Sequence, residues 1–129
     1  MKRQFSAGVS VTVPDGKGKG VISITICVTA ACVPEKNYEA YINYFKDQKN
    51  SEEEYIRAAL RRSLTAVDEV FGEAYKNLVG SKEWAENVLR FKLTFSLTTD
   101  LEKVGLYFPE ISIRSTVARY IIRNIKGGE

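Results

Sequence analysis

Apolar and polar residues alternate strictly in two runs near the start of the chain. Every second residue is apolar over positions 5–13, and the same alternation covers positions 22–30. A period of two is typical of a half-buried β-strand. The stretch between the two runs, PDGKGKG at positions 14–20, is rich in turn-forming glycine. The pattern therefore predicts a long β-hairpin, whose second strand ends at Pro34.

Helical spacing replaces this alternation in the middle of the chain. Positions 38–45 place aromatic and aliphatic side chains at i, i+3, i+4 and i+7, which predicts a short helix. Ser51 and Glu54 then match a capping box, the reciprocal hydrogen-bonding pattern of a helix N-terminus. The apolar stripe behind it continues over positions 56–78, so we expect a long second helix, followed by a short one that begins at Ser81.

Alternation returns in the last third of the chain. The stretch LRFKLTFSL at positions 89–97 has leucine or phenylalanine at every odd position, which predicts a third strand with one apolar face. A fourth strand is predicted over positions 106–113. Pro109 places this strand at a sheet edge or in a bulge, because proline cannot donate a ladder hydrogen bond. Ser115 or Thr116 then caps a final helix.

The order of these elements, ββ-αα-ββ-α, predicts the fold class. Strands with one apolar face form antiparallel sheets that are covered on one side. We therefore expect a single α+β domain over residues 1–129, in which helices pack on one face of a four-stranded antiparallel sheet as a two-layer sandwich. A chain of 129 residues is long enough to bury such a core without a metal or a disulfide.

Composition removes several kinds of active site. The chain contains no histidine, which excludes a Ser-His-Asp or Cys-His site and the usual histidine-based zinc sites. Two cysteines cannot complete a four-thiolate zinc site either. Gly16, Gly18 and Gly20 precede a strand rather than a helix, so they do not match a nucleotide-binding loop. We expect no metal and no cofactor.

The two cysteines also bear on the compartment. Cys27 and Cys32 are five residues apart in the predicted strand, so they point to opposite faces and lie roughly 16 Å apart. A disulfide needs Cα atoms within about 7 Å. Unpaired thiols are typical of a reducing compartment, and no apolar run reaches the roughly 20 residues of a membrane helix. We therefore expect a cytoplasmic protein without a targeting signal or a membrane partner.

Tyrosine provides the first candidate for a binding surface. The stretch NYEAYINYF carries Tyr38, Tyr41 and Tyr44 on one short helix, and Tyr55 follows on the next. Tyrosine is enriched at protein interfaces because it buries a large area with few rotatable bonds. Our leading hypothesis is therefore a non-enzymatic binding or assembly protein that self-associates through protein contacts. Accessory proteins of mobile elements or phages are one class that this hypothesis includes.

Basic residues support an alternative hypothesis, nucleic-acid binding. The net charge of +3 is small, but residues 1–34 and 88–129 are net basic, whereas residues 35–87 are net acidic. A basic patch would combine the hairpin tip, the outer face of the sheet and the last helix. Its candidate residues are Lys17, Lys19, Arg90, Lys92, Arg114, Arg119 and Arg123. A second alternative is a histidine-free, nuclease-like enzyme that uses arginine, lysine, tyrosine and glutamate, although no catalytic residue can be assigned.

Overall fold

The fold begins with the predicted hairpin and continues through a helical layer to one more strand. The structure is a computed structural model, and it describes residues 3–14, 20–46, 51–74 and 82–119. Its strands are β1 (Arg3–Pro14), β2 (Gly20–Cys32) and β3 (Leu106–Arg119). Its helices are α1 (Tyr38–Phe45), α2 (Glu52–Arg62), α3 (Thr65–Val67), a π-helical segment (Asp68–Ala74) and α4 (Lys82–Glu102).

The sheet has three strands, in the order β1-β2-β3, and both pairs of neighbours are antiparallel. The α+β class and the antiparallel sheet are confirmed, but the prediction of four strands is wrong. The segment at positions 89–97, which we expected to form a strand, lies within α4. The order ββ-αα-ββ-α is wrong for the same reason.

Leucine spacing explains why this segment is helical. Leu89, Leu93, Leu97 and Leu101 recur every four residues and are fully buried. A spacing of four is even, so it satisfies the alternation of a strand as well as the turn of a helix. Phe91 and Phe95 completed the apparent alternation, but in a helix they lie about 200° away from the leucines. The helix buries all four leucines against the sheet and leaves the two phenylalanines on its opposite side.

The end of the described chain also differs from the prediction. Residues 115–119 continue β3, whereas we expected a helix to begin at Ser115 or Thr116. The rest of that predicted helix lies outside the described residues. The edge or bulge predicted at Pro109 is confirmed, because β3 is an edge strand and its register with β2 shifts between Thr29 and Ala31. Phe108 has a φ of 58° at this bulge.

The core lies between the inner face of the sheet and the helices. On β2, Ile22, Ile24, Ile26 and Val28 all point inward with at most 1% of their surface exposed. Helix α2 packs over β1 and contributes Ile56 and Leu60, while the leucine stripe of α4 packs over β3. The predicted apolar face of the hairpin is therefore the buried face.

Local signals set the helix ends. The capping box is confirmed: Ser51 Oγ accepts from the Glu54 amide at 3.2 Å, and a Glu54 carboxylate oxygen accepts from the Ser51 amide at 3.0 Å. The long helix predicted to reach position 78 is interrupted, because α2 ends at Arg62. The next residue, Ser63, is buried, and its hydroxyl donates to the Ala59 carbonyl at 3.2 Å.

Gly105 ends the turn between α4 and β3, and its position has no room for a side chain. Its φ is +75°, and a Cβ atom there would lie 2.8 Å from the Tyr41 backbone nitrogen and Cβ. The turn and α1 are therefore in direct contact at a position where only glycine fits.

Side chains from the helices hydrogen-bond to both edges of the sheet. Arg57 on α2 donates through Nε to the Gly8 carbonyl of β1 at 3.3 Å. On the other edge, Arg90 Nε donates to the Ile111 carbonyl at 3.1 Å, and Glu86 accepts from the Ser115 amide at 2.8 Å. An unpaired edge strand is a template for pairing with another chain. These hydrogen bonds occupy three backbone groups that such pairing would use.

Candidate protein-contact surface

Helix α4 carries two apolar faces, of which only one is buried. The leucine stripe lies against the sheet, whereas Phe91 and Phe95 are 76% and 78% exposed on the opposite side. The two rings are four residues apart, so they are neighbours on adjacent turns. A single exposed apolar residue is ordinary, but a contiguous exposed aromatic patch is typical of an interaction site.

Threonines extend this patch and make it more apolar than their residue type suggests. A shallow groove of about 330 Å³ is lined by Phe91, Thr94, Phe95, Thr98 and Thr99. Thr94 Oγ1 donates to the Arg90 carbonyl at 2.8 Å, and Thr98 Oγ1 donates to the Thr94 carbonyl at 2.7 Å. Because these two hydroxyls bond to the helix backbone, their polar atoms are already satisfied within the helix. We call the surface formed by the five groove residues the aromatic face.

The tyrosines predicted to bind a partner form an aromatic cluster where α1, α2 and β1 meet. Tyr41 is 5% exposed, and its ring centroid lies 5.7 Å from that of Tyr38 and 6.3 Å from that of Phe5. The rings of Tyr44 and Tyr55 meet edge to face at 5.2 Å, and both residues are half-buried. Tyr38 is 43% exposed. Partner binding by these four residues stays a prediction.

Buried polar groups tie this cluster to its surroundings. The Tyr41 hydroxyl donates to a Glu52 carboxylate oxygen, and the Tyr55 hydroxyl donates to the Asp100 carbonyl at 2.9 Å. Burial, reinforced by the Glu52 carboxylate, raises the pKa of Tyr41 well above its ordinary value. Burial, reinforced by the charge of Asp100, also raises the pKa of Tyr55. Both phenols therefore hold their protons at neutral pH, as suits structural hydrogen-bond donors.

Two residues of the predicted basic patch lie on a helix instead of a strand. Arg90 lies on α4 instead of the sheet, and its guanidinium is engaged by the Ile111 carbonyl and by Asn87 Oδ1 at 2.6 Å. Lys92, also on α4, lies 3.6 Å from a Glu69 carboxylate oxygen. The expectation that these residues share the outer sheet face is therefore wrong.

The remaining candidates for nucleic-acid contact are distributed as follows. Arg114 is exposed on β3, at a position of the outer sheet face. Arg119 is the last residue of β3, while Lys17, Lys19 and Arg123 lie outside the described residues. Nucleic-acid binding by this set stays a prediction.

The outer face of the hairpin is a row of small polar side chains, as its alternation predicts. Ser6 and Thr29 are hydrogen-bonded across the strands at 2.7 Å, and Ser10 and Thr25 at 3.3 Å. Cys27 is exposed on this face, whereas Cys32 is buried at the end of β2, which confirms that the two thiols point to opposite faces. Burial raises the pKa of the Cys32 thiol, which disfavours its reactive thiolate form.

Two further observations concern metals and membranes. Within residues 3–14, 20–46, 51–74 and 82–119, no group of three or more cysteine, aspartate or glutamate residues is placed to hold a metal ion. The longest helix of that part of the chain, α4, has 21 residues, and none of its helices has both the length and the apolar character needed to cross a bilayer.

Sequence reasoning missed the aromatic face because it assigned Phe91 and Phe95 to the core. One signal could have found it. Residues 82–102 form a stretch of 21 residues without glycine or proline, which is longer than a typical strand and fits a helix, and a helix that buries the leucines leaves the phenylalanines outside. Comparison of the chain with protein-family models, curated proteins and solved structures finds no match.

Proposed function

We propose that this protein is a binding or assembly protein that acts through apolar contacts at the aromatic face of α4. The observation that carries the proposal is the exposure of Phe91 and Phe95, at 76% and 78%. Burying exposed aromatic rings is the largest favourable term available to such a surface, and aromatic residues dominate the binding energy of protein interfaces.

The surroundings of the two rings support a protein partner. The residues that line the groove are phenylalanine and threonine, and none of them is charged. Interface cores are depleted in charged residues and enriched in aromatic ones, whereas surfaces that bind nucleic acid are rich in lysine and arginine. The composition of the aromatic face therefore favours a protein over a polyanion.

The position of the rings on a long helix gives the surface rigidity. The opposite side of α4 is fixed to the sheet by four fully buried leucines, and Arg90 and Glu86 hydrogen-bond to β3. A rigid surface loses little conformational entropy when it binds, so more of the apolar gain remains as affinity.

Photo-crosslinking tests this proposal directly. A benzophenone derivative of phenylalanine replaces Phe91 in one variant and Phe108 in a matched control, since Phe108 is also exposed but lies on β3. Irradiation of intact cells that express each variant should give a covalent protein adduct from position 91 and little from position 108. An absence of adducts at position 91, or equal adducts at both positions, would contradict the proposal.

A further inference from the structure

We infer that the partner at the aromatic face is a second copy of this chain, paired with the first through α4. This inference rests on the proposed function, because it names the occupant of the same surface. Three observations support it: the spacing of the exposed residues, the absence of charge on the face and the occupied backbone groups at the sheet edges. The area of the rings sets the expected strength of the pairing.

The exposed side of α4 has the spacing of a helix-pairing seam. Phe91, Phe95 and Thr98 follow one another at intervals of four and three residues. Alternating steps of four and three place side chains along one line of a helix, where they can interlock with a second helix. All three residues line the groove, so this line of side chains lies within the aromatic face.

The lack of charge makes the aromatic face complementary to itself. A surface that carries net charge repels its own copy, but the five residues that line the groove are all uncharged. The cation next to the face, Lys92, already lies 3.6 Å from a carboxylate oxygen of Glu69 on the π-helical segment. Two copies can therefore meet around a two-fold axis without placing like charges together, as a closed symmetric dimer requires.

The other common route to self-association is partly obstructed. Extension of the sheet would need free backbone groups on β1 or β3, and Arg57, Arg90 and Glu86 occupy such groups at Gly8, Ile111 and Ser115. Native proteins cover edge strands to prevent pairing with another chain. The aromatic face has no comparable cover within the described residues, since its two rings remain more than three-quarters exposed.

The area of the rings predicts a weak, reversible dimer. A phenylalanine side chain offers roughly 200 Å², so each ring of this face contributes about 150 Å² and the four rings of a dimer about 600 Å². Stable complexes bury about 1,200–2,000 Å² in total. The rings alone fall well below this range, so we expect pairing through α4 to be weak and to depend on concentration.

Sedimentation equilibrium of the full chain, from about 10 µM to about 1 mM, tests the inference. The test variant is Phe91→Gln with Phe95→Gln, since glutamine is polar and a good helix former. The control is Phe108→Gln, which removes an exposed ring elsewhere. We expect the wild type and the control to approach twice the monomer mass as concentration rises. We expect the double variant to associate at least about 30-fold more weakly, as substitution of an interface hot spot does.

The other outcomes separate this inference from the proposed function. If the wild type stays monomeric throughout while position 91 still crosslinks to a different protein, the partner is not a second copy. The proposal that the aromatic face binds a protein would still hold. Dimerisation of the double variant at wild-type strength would overturn the role of the aromatic face in pairing. A double variant whose dilute monomer melts many degrees lower would mean that the rings pack within the monomer, and it would overturn both.

Discussion

The contrast between Leu93 and Phe95 gives the most informative pair of substitutions. Both residues are large and apolar, and they are two positions apart on α4. In the structure Leu93 is fully buried against the sheet, whereas Phe95 is 78% exposed. We therefore predict that Leu93→Ala destabilises the monomer strongly and that Phe95→Ala barely affects it.

The expected magnitudes follow from burial. Truncation of a buried leucine to alanine costs about 2–5 kcal/mol, because transfer energy is lost and a cavity remains. Phe95 buries only about a fifth of its roughly 200 Å², which corresponds to about 1 kcal/mol. Alanine is a better helix former than phenylalanine by about 0.5 kcal/mol, which offsets part of this loss. The two variants should differ by at least about 1.5 kcal/mol.

Urea unfolding followed by circular dichroism measures this difference. The protein concentration must be low, at about 2 µM, so that association through the aromatic face does not contribute to the measured stability. In a strand, Leu93 and Phe95 would share one buried face and both substitutions would be costly. A Phe95→Ala variant that is destabilised as much as Leu93→Ala would refute the helical placement of these residues.

Three further predictions concern the supports of the fold. Gly105→Ala should destabilise the protein by about 2 kcal/mol or more in thermal unfolding, because alanine is strained at a φ of +75° and its Cβ would contact Tyr41; an unchanged melting temperature would contradict the close approach. Tyr41→Phe should cost about 1–2 kcal/mol near neutral pH by removing the hydrogen bond to Glu52. The raised pKa of Tyr41 means that the folded state keeps this proton above pH 10 while the unfolded state loses it, so the advantage of the wild type should shrink by about 1 kcal/mol between pH 10 and 11; a constant advantage in urea titrations would oppose this. Glu86→Ala should cost about 1–3 kcal/mol, because it leaves the amide and hydroxyl of the buried Ser115 without their acceptor; a loss no larger than that of an exposed control, Glu83→Ala, would count against the edge contact.

The hairpin, the first helix and the start of the second helix could be predicted because each has one signal without a competitor. Alternation over positions 5–13 and 22–30 fits a strand and no helix. The capping box at Ser51 and Glu54 marks a helix start through specific hydrogen bonds. Pro109 indicated a sheet edge or a bulge, since a residue without an amide hydrogen cannot donate a ladder hydrogen bond. In these segments the local signal and the tertiary packing agree.

The segment at positions 89–97 could not be assigned by alternation because its leucines fit two templates. Residues four apart share a face in a strand and lie close together in a helix, so Leu89, Leu93 and Leu97 do not distinguish the two. Only Phe91 and Phe95 decide the matter. Hydrophobicity assigned them to the core, although nothing requires every phenylalanine to be buried. The same assignment hid the candidate surface, because the phenylalanines of the aromatic face would be buried in a strand.

The tyrosines illustrate a different limit. Their number on α1 and α2 is visible in the sequence, but their arrangement depends on how α1 meets β1. Tyr41 packs against Gly105 and Phe5, and its hydroxyl is satisfied by Glu52. These contacts join residues that are far apart in the chain, so no local pattern predicts them.

The central claim is that residues 82–102 form a helix with leucines inside and phenylalanines outside. Backbone ¹³Cα chemical shifts of the labelled protein test it most directly, because helices and strands displace these shifts in opposite directions from their unfolded values. We predict downfield displacement throughout Lys82–Glu102 and upfield displacement along Leu106–Arg119. Upfield displacement over positions 89–97 would show a strand there, and both the aromatic face and its proposed partner would have to be abandoned.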